Sequence, residues 1–229
     1  LTLLEKYEKI KKEVEAFDLE IQSDPELSAQ IEKYYKGVQV LFSPITENPK
    51  IMFIGINPGA GFFNSNKENT KVKRYSPLDK FEYIGGGYRL AQQTRELFER
   101  AGLTKKVLAN SVKSNCFFLA TKSEKELYQF LSHLKSTNVY AKSAKWIDEL
   151  VLMIHPEIII CEGKSAFKHF IKGKNCIVKL DQDVDYANWN NMDIIGYKRN
   201  FSNIVKMKSV AEKLNECINK NNFQSKIET

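Results

Sequence analysis

Residues Pro49–Phe63 read PKIMFIGINPGAGFF, and the fold class turns on this stretch. Its first part, Ile51-Met52-Phe53-Ile54, is an apolar run with no polar alternation, bounded by Pro49 and Gly55. Such a run forms a strand buried on both faces. The second part, Gly55-Ile56-Asn57-Pro58-Gly59-Ala60-Gly61, is made of turn formers. It belongs at the carboxyl end of the strand, where open α/β sheets hold their ligands. Pro58 fixes its own φ and pushes Asn57 towards an extended backbone. The glycines around it let a ligand approach the main chain. One polar side chain, Asn57, is thus presented from a stiff support, and the loop reads as the core of a functional site.

Outward from this stretch, strands and helices alternate. Glu157–Cys161 is a second buried strand, following Pro156, and Cys116–Ala120 is another, with a possible start near Val112. Lys174–Leu180 and Asp193–Ile195 supply the last strands, around a polar loop at Asp181–Asn191. Val38–Phe42 is a short strand or loop. Residues 1–36 form two amphipathic helices split at Ser23-Asp24-Pro25, with Ser23 or Asp24 as N-cap and Pro25 in the first turn. Further helices are expected at Tyr88–Ala101, from Ser123 with Glu126 completing a capping box, at Tyr140–His155 and at Val205–Ile218. The pattern predicts a single α/β domain over 1–229: a three-layer α/β/α sandwich with a short, mainly parallel central sheet. Residues 1–36 would be a helical extension and 222–229 a frayed tail.

The 229 residues suffice for one large core. The four cysteines, Cys116, Cys161, Cys176 and Cys217, are far apart and form no C-x-x-C pair. This points to reduced thiols in a cytoplasmic setting rather than to a zinc or iron–sulfur site. No apolar run approaches the roughly 20 residues of a membrane span, and no apolar leader segment is visible. The formal charge is +7. Part of the excess follows the Asn57 loop (Lys67, Lys71, Lys73, Arg74), and part lies at Lys198, Arg199, Lys206 and Lys208. Clustered beside a candidate site, such charge favours nucleic acid over a small phosphorylated ligand or plain solvation. Tyr75 and Tyr83, interleaved with these cations, suit a base-stacking surface. Gly85-Gly86-Gly87, ahead of the Tyr88 helix, serve a sharp turn or bare amides to a phosphate.

Gly55-Ile56-Asn57-Pro58-Gly59 resembles the first signature of the uracil-DNA glycosylase superfamily, in its mismatch-specific and single-strand-selective branches, which carry G-x-N-P-G after the first core strand. Cys161-Glu162-Gly163-Lys164-Ser165-Ala166-Phe167 is similar to a second strand-turn-helix segment of the same family. The resemblance implies a glycosylase-like fold and hydrolysis of the N-glycosidic bond of uracil or a related damaged base, flipped out of DNA. Asn57 would position the attacking water, and Phe62 or Phe63 would stack on the base, with Ile56 beside it. Asn115, or alternatively Asn110, would read the base edge through its amide. Gly59, Gly163, Lys164, Ser165, Lys198 and Ser202 would meet the DNA backbone. The implied partner is DNA, bound by a monomer, without membrane, metal or cofactor.

The late segment Gly196–Ser202 reads GYKRNFS, where the family has H-P-S or N-P-S followed by a bulky wedge. At these positions Phe201 is the candidate wedge, and Arg199 the candidate cation for a departing base anion. A rival reading of Gly163-Lys164-Ser165 as a P-loop fails, because the Gly required five residues earlier is Ile158, inside a strand. His155 and His169 share no motif and read as surface or helix-end residues. The alternative to an enzyme is a non-catalytic nucleic-acid- or nucleotide-binding protein that retains the fold.

Overall fold

The computed structural model describes residues 1–59 and 72–224. Its strands, in chain order, are β1 (Gly37–Gln39), β2 (Ile51–Gly55), β3 (Val72–Arg74), β4 (Val112–Asn115) and β5 (Ile158–Cys161). Then come β6 (Ile177–Lys179), β7 (Val184–Trp189), β8 (Met192–Tyr197), β9 (Arg199–Asn200) and β10 (Asn203–Ile204). The helices are α1 (Leu3–Ser23), α2 (Pro25–Ile31), α3 (Glu82–Gly85), α4 (Arg89–Arg100) and α5 (Lys105–Ala109). They continue with α6 (Glu124–His133), α7 (Val139–Ile154), α8 (Lys164–Ile171) and α9 (Met207–Gln224).

The central sheet has six strands in the order β4-β2-β5-β8-β7-β6. Its first four strands are parallel, with Phe53 opposite both Lys113 and Ile160, and Ile160 opposite Ile195. The last two join antiparallel, so the sheet is mixed. β2 is enclosed by neighbours on both sides, which is why Ile51–Ile54 can be wholly apolar and wholly buried. Alternate side chains feed two cores. Met52, Ile54, Val112 and Ile159 pack with Phe17, Trp146 and Leu150 of α1 and α7. Ile51, Phe53, Ile158 and Ile160 pack on the other face with Leu97, Phe98, Val210 and Leu214 of α4 and α9. Helices thus cover both faces.

Several expectations are corrected. The supposed polar loop Asp181–Asn191 contains β7, which pairs along its whole length with β8. Its buried positions are Asp185 and Ala187, not its large apolar residues, and the charged one is paired with Lys164. The second core strand is Val112–Asn115. Cys116–Ala120 lies beyond it, because the Cys116 and Phe117 amides turn to the carbonyls of Gly55 and Ile56 (2.8 and 3.0 Å). Gly196 and Tyr197 end β8 rather than open a loop. Ser123 caps α6 through the Glu126 amide at 3.2 Å, but one Glu126 carboxylate oxygen is buried with no partner, so the capping box is half made. α9 starts at Met207, after Lys206 takes a left-handed φ of 54°, and continues through Gln224, past the expected fraying point. Asp24, rather than Ser23, caps α2.

Gly196 lies tightly against α8: a Cβ there would sit 2.5 Å from Phe167 Cβ. Gly196→Ala should destabilise the fold by about 1–3 kcal/mol through overpacking. A lower urea midpoint with an unchanged m-value would show it.

Candidate functional site

At the carboxyl ends of β2, β4 and β5 opens a cleft of about 530 Å³, within the range of small-molecule sites. The loop after β2 forms its floor with Gly55, Ile56, Asn57, Pro58 and Gly59. Asn115 and Lys113 of β4, Glu162 after β5, Phe42, Glu82, Tyr88 and Leu90 wall it, and Arg199 and Ser202 close one side. This gathers Ile56, Asn57, Gly59, Asn115, Arg199 and Ser202 from the sequence-based candidates. Asn110 is instead an exposed C-cap of α5, away from the cleft lining. Phe62 and Phe63 lie outside the described residues, as do Lys67 and Lys71.

The Asn57 loop is stiffened from outside. The Phe117 amide donates to Ile56 and the Thr121 amide to the Pro58 carbonyl. Asn57 Nδ2 donates to Thr121 Oγ1 (3.0 Å), to the Pro58 carbonyl (3.1 Å) and more weakly to the Leu119 carbonyl (3.4 Å). Thr121 in turn donates to the Ser123 carbonyl at 2.9 Å. The donor end of the amide is therefore committed to protein, while Oδ1 accepts no hydrogen bond among the described residues. An acceptor held this way can orient a water molecule but cannot remove its proton.

Asn115 presents the opposite situation. It is 3% exposed, and its Nδ2 is buried without a partner. A buried unmet donor costs roughly 1–3 kcal/mol, which a ligand acceptor would relieve. Gly55 makes room for it, since any Cβ at Gly55 would collide with Asn115 Oδ1.

Behind Asn115 lies an ionic network. Lys113 Nζ bridges Glu82 Oε1 at 2.8 Å and Glu162 Oε2 at 2.9 Å, and donates to Tyr83 Oη. Tyr83 donates to Glu162 Oε1. The Lys113 ammonium also lies 4.0 Å from the Tyr83 ring centroid, a cation–π contact. Burial, then the Glu162 and Glu82 carboxylates, push the Tyr83 phenol far above its ordinary range, so it remains a donor. Partial burial and the Glu82 carboxylate also raise the Tyr88 phenol, although that residue remains 46% exposed. Tyr83 is therefore a buried structural member rather than a stacking surface. Tyr75 is likewise turned inward, its hydroxyl on Asp18 at 2.6 Å. Lys73, counted with the charge that follows the Asn57 loop, pairs with the same carboxylate at 3.2 Å.

A second groove of about 740 Å³ adjoins the cleft through Ile56, Glu162 and Arg199. Lys125, Lys164, Ser165, Lys198 and Phe201 line it. Lys125 and Lys198 are exposed. Lys164 is tied to Asp185 (3.1 Å) and the Asp181 carbonyl (2.5 Å), and the Gly163 amide donates to Cys161, so neither is free for a phosphate in this state. Phe201, at the tip of the β9–β10 hairpin, is 89% exposed with φ 51°. Arg89 and Gln93 of α4 anchor that hairpin by hydrogen bonds to Asn203 and the Ile204 amide.

Sequence reading missed Lys113, Glu82, Glu162, Tyr88 and Thr121. One signal was available: Glu162 directly follows an apolar strand, at the sheet end where ligands bind.

Replacing Lys113 with Met would leave the buried Glu162 carboxylate and the largely covered Glu82 carboxylate without their shared ammonium. Lys113→Met should cost about 3–5 kcal/mol, measured by urea unfolding, whereas the exposed Lys125→Met should change stability by less than about 0.5 kcal/mol.

Compared with models of known protein families the chain matches none, and no curated protein matches it.

Proposed function

We propose that the chain is a DNA N-glycosylase of the uracil-DNA glycosylase kind, hydrolysing the bond between a flipped base and its sugar. The observation that carries this reading is the pair of amides in one cleft. Asn57 offers a fixed acceptor with its donor end already committed, and Asn115 offers a buried donor with nothing to bond. The first suits a water facing a sugar carbon, and the second suits the carbonyl edge of a base. The four parallel strands, with helices on both faces and the G-x-N-P-G loop after β2, fit a glycosylase-like fold.

In this reading DNA lies along the groove of Lys125, Lys198 and Arg199, its phosphates met by charge. Phe201 fills the gap left by the extruded base, and Phe62 or Phe63 stacks on that base. Unstacking costs a few kcal/mol, which these contacts offset. Water held by Asn57 Oδ1 attacks the sugar carbon as the carbon–nitrogen bond breaks; the bond's electron pair leaves with the base, and one water proton passes to solvent. Four free cysteines fit a reducing, cytoplasmic setting. Among the described residues no helix is long and apolar enough to cross a membrane.

A second reading, a binder without catalysis, is favoured by the late segment. It holds no histidine, and Arg199 is the cleft's one cation outside the Lys113 network among the described residues.

Base release from labelled oligonucleotides separates the two. Asn57→Ala should lower release by about 10²-fold or more while leaving DNA affinity nearly unchanged. Absent release from the wild type, with salt-dependent DNA binding intact, would favour the binder. Removing Lys125 and Lys198 together should reduce the slope of log affinity against log salt by about 2. An unchanged slope would remove the groove from the DNA path.

A further inference from the structure

Among the described residues, the charged groups lining the cleft are Glu82, Glu162, Lys113 and Arg199. Lys113 is bound between both carboxylates, so its ammonium is already spent on them. Counted formally, the network has two negative charges against one positive. It is also almost dry: Lys113 and Glu162 side chains are 8% and 2% exposed, and Glu82 14%. Electrostatic interactions are strong in such surroundings and weakly screened by salt. Arg199, which like Glu162 also lines the basic groove, brings the four charges formally to zero, so only the part of the lining away from it carries an excess of negative charge. The Tyr83 and Tyr88 phenols stay protonated beside the carboxylates. The anionic wall is the one beside Asn115: a Cβ built on Gly55 would collide with Asn115 Oδ1 and lie 3.5 Å from Glu162 Oε2, so a base edge read by Asn115 faces two carboxylates that share one ammonium.

A base leaving as an anion would be repelled by such a wall. A base that is already cationic would be attracted in the ground state and would leave neutral. Resting on the glycosylase reading above, we infer that the cleft selects a positively charged base, the chemical class of N7- and N3-alkylated purines in DNA. The step balances without an anion-stabilising group. The bond from the sugar carbon to the base nitrogen breaks and its electron pair passes to the base, cancelling the base's positive charge. Water oxygen bonds to the sugar carbon, and one water proton goes to solvent. This chemistry does not require the histidine that the late segment lacks, because no anion departs.

The test compares oligonucleotides carrying N7-methylguanine or uracil at one position, with release counted above spontaneous loss. The wild type should release N7-methylguanine at least about tenfold faster than uracil, and Glu162→Gln should bring the two rates towards each other. Because Glu162→Gln alters the partner of a buried ammonium, Glu82→Gln, the more exposed carboxylate, is the second variant and should narrow the preference in the same direction. Uracil released as fast as N7-methylguanine would overturn the inference and leave the glycosylase reading standing. Release of neither base would sink that reading, and the charge preference is then decided by binding. At about pH 6, where 7-methylguanosine is cationic, it should raise the melting temperature more than guanosine does. Equal shifts would overturn the inference as well.

Discussion

The site depends on one buried ammonium. Lys113 stands on a core strand, yet its Nζ lies between the carboxylates of Glu82 and Glu162 and against the ring of Tyr83. It thereby joins three separate parts of the chain: β4, the short helix α3 and the residue after β5. Removing charges from water costs several kcal/mol each, and only close pairing and hydrogen bonding offset that cost. A hydrophobic substitute could have closed the same gap more cheaply. The network instead fixes where Glu82, Tyr83 and Glu162 stand around the cleft, and it gives one wall a charge of defined sign.

The two asparagines play complementary parts because their surroundings differ. Asn57 is tied by its nitrogen to Thr121, so its orientation is settled before any ligand arrives. Asn115 is buried with an unmet donor, a cost the fold carries and a ligand would remove. Preorganised polar groups of this kind lower the reorganisation needed when a ligand binds. The parallel strands bring both to one end of the sheet, since Gly55 and Asn115 are paired opposite each other in adjacent strands.

The sequence made some of this plain and hid the rest, for physical reasons. β2 and β5 were legible because strands covered on both faces must be apolar throughout, and Ile51–Ile54 and Ile158–Ile160 meet that condition without exception. The Asn57 loop was legible through its proline and glycines. β7 was hidden because its inward positions are Asp185 and Ala187, so no apolar alternation marks it. β4 was misplaced because a buried strand is not expected to read Val-Lys-Ser-Asn. Lys113 is tolerated there only through partners from distant segments, and pairing over such separations leaves no local pattern. Glu82 and Tyr83 were concealed for the same reason, and Tyr83 read instead as part of a base-stacking surface. Thr121 gave no sign, since its role is to orient another side chain 64 positions away in the chain.

The central claim is that Asn57 and Asn115 hold a base in the cleft between them. Side-chain amide resonances of ¹⁵N-labelled protein test it most directly, followed during titration with a lesion-bearing oligonucleotide. The account predicts that the Asn115 amide signals move strongly as its Nδ2 gains an acceptor, with Asn57 moving alongside and Asn219 on α9 staying fixed. Binding that leaves Asn115 unmoved while signals elsewhere shift would contradict it.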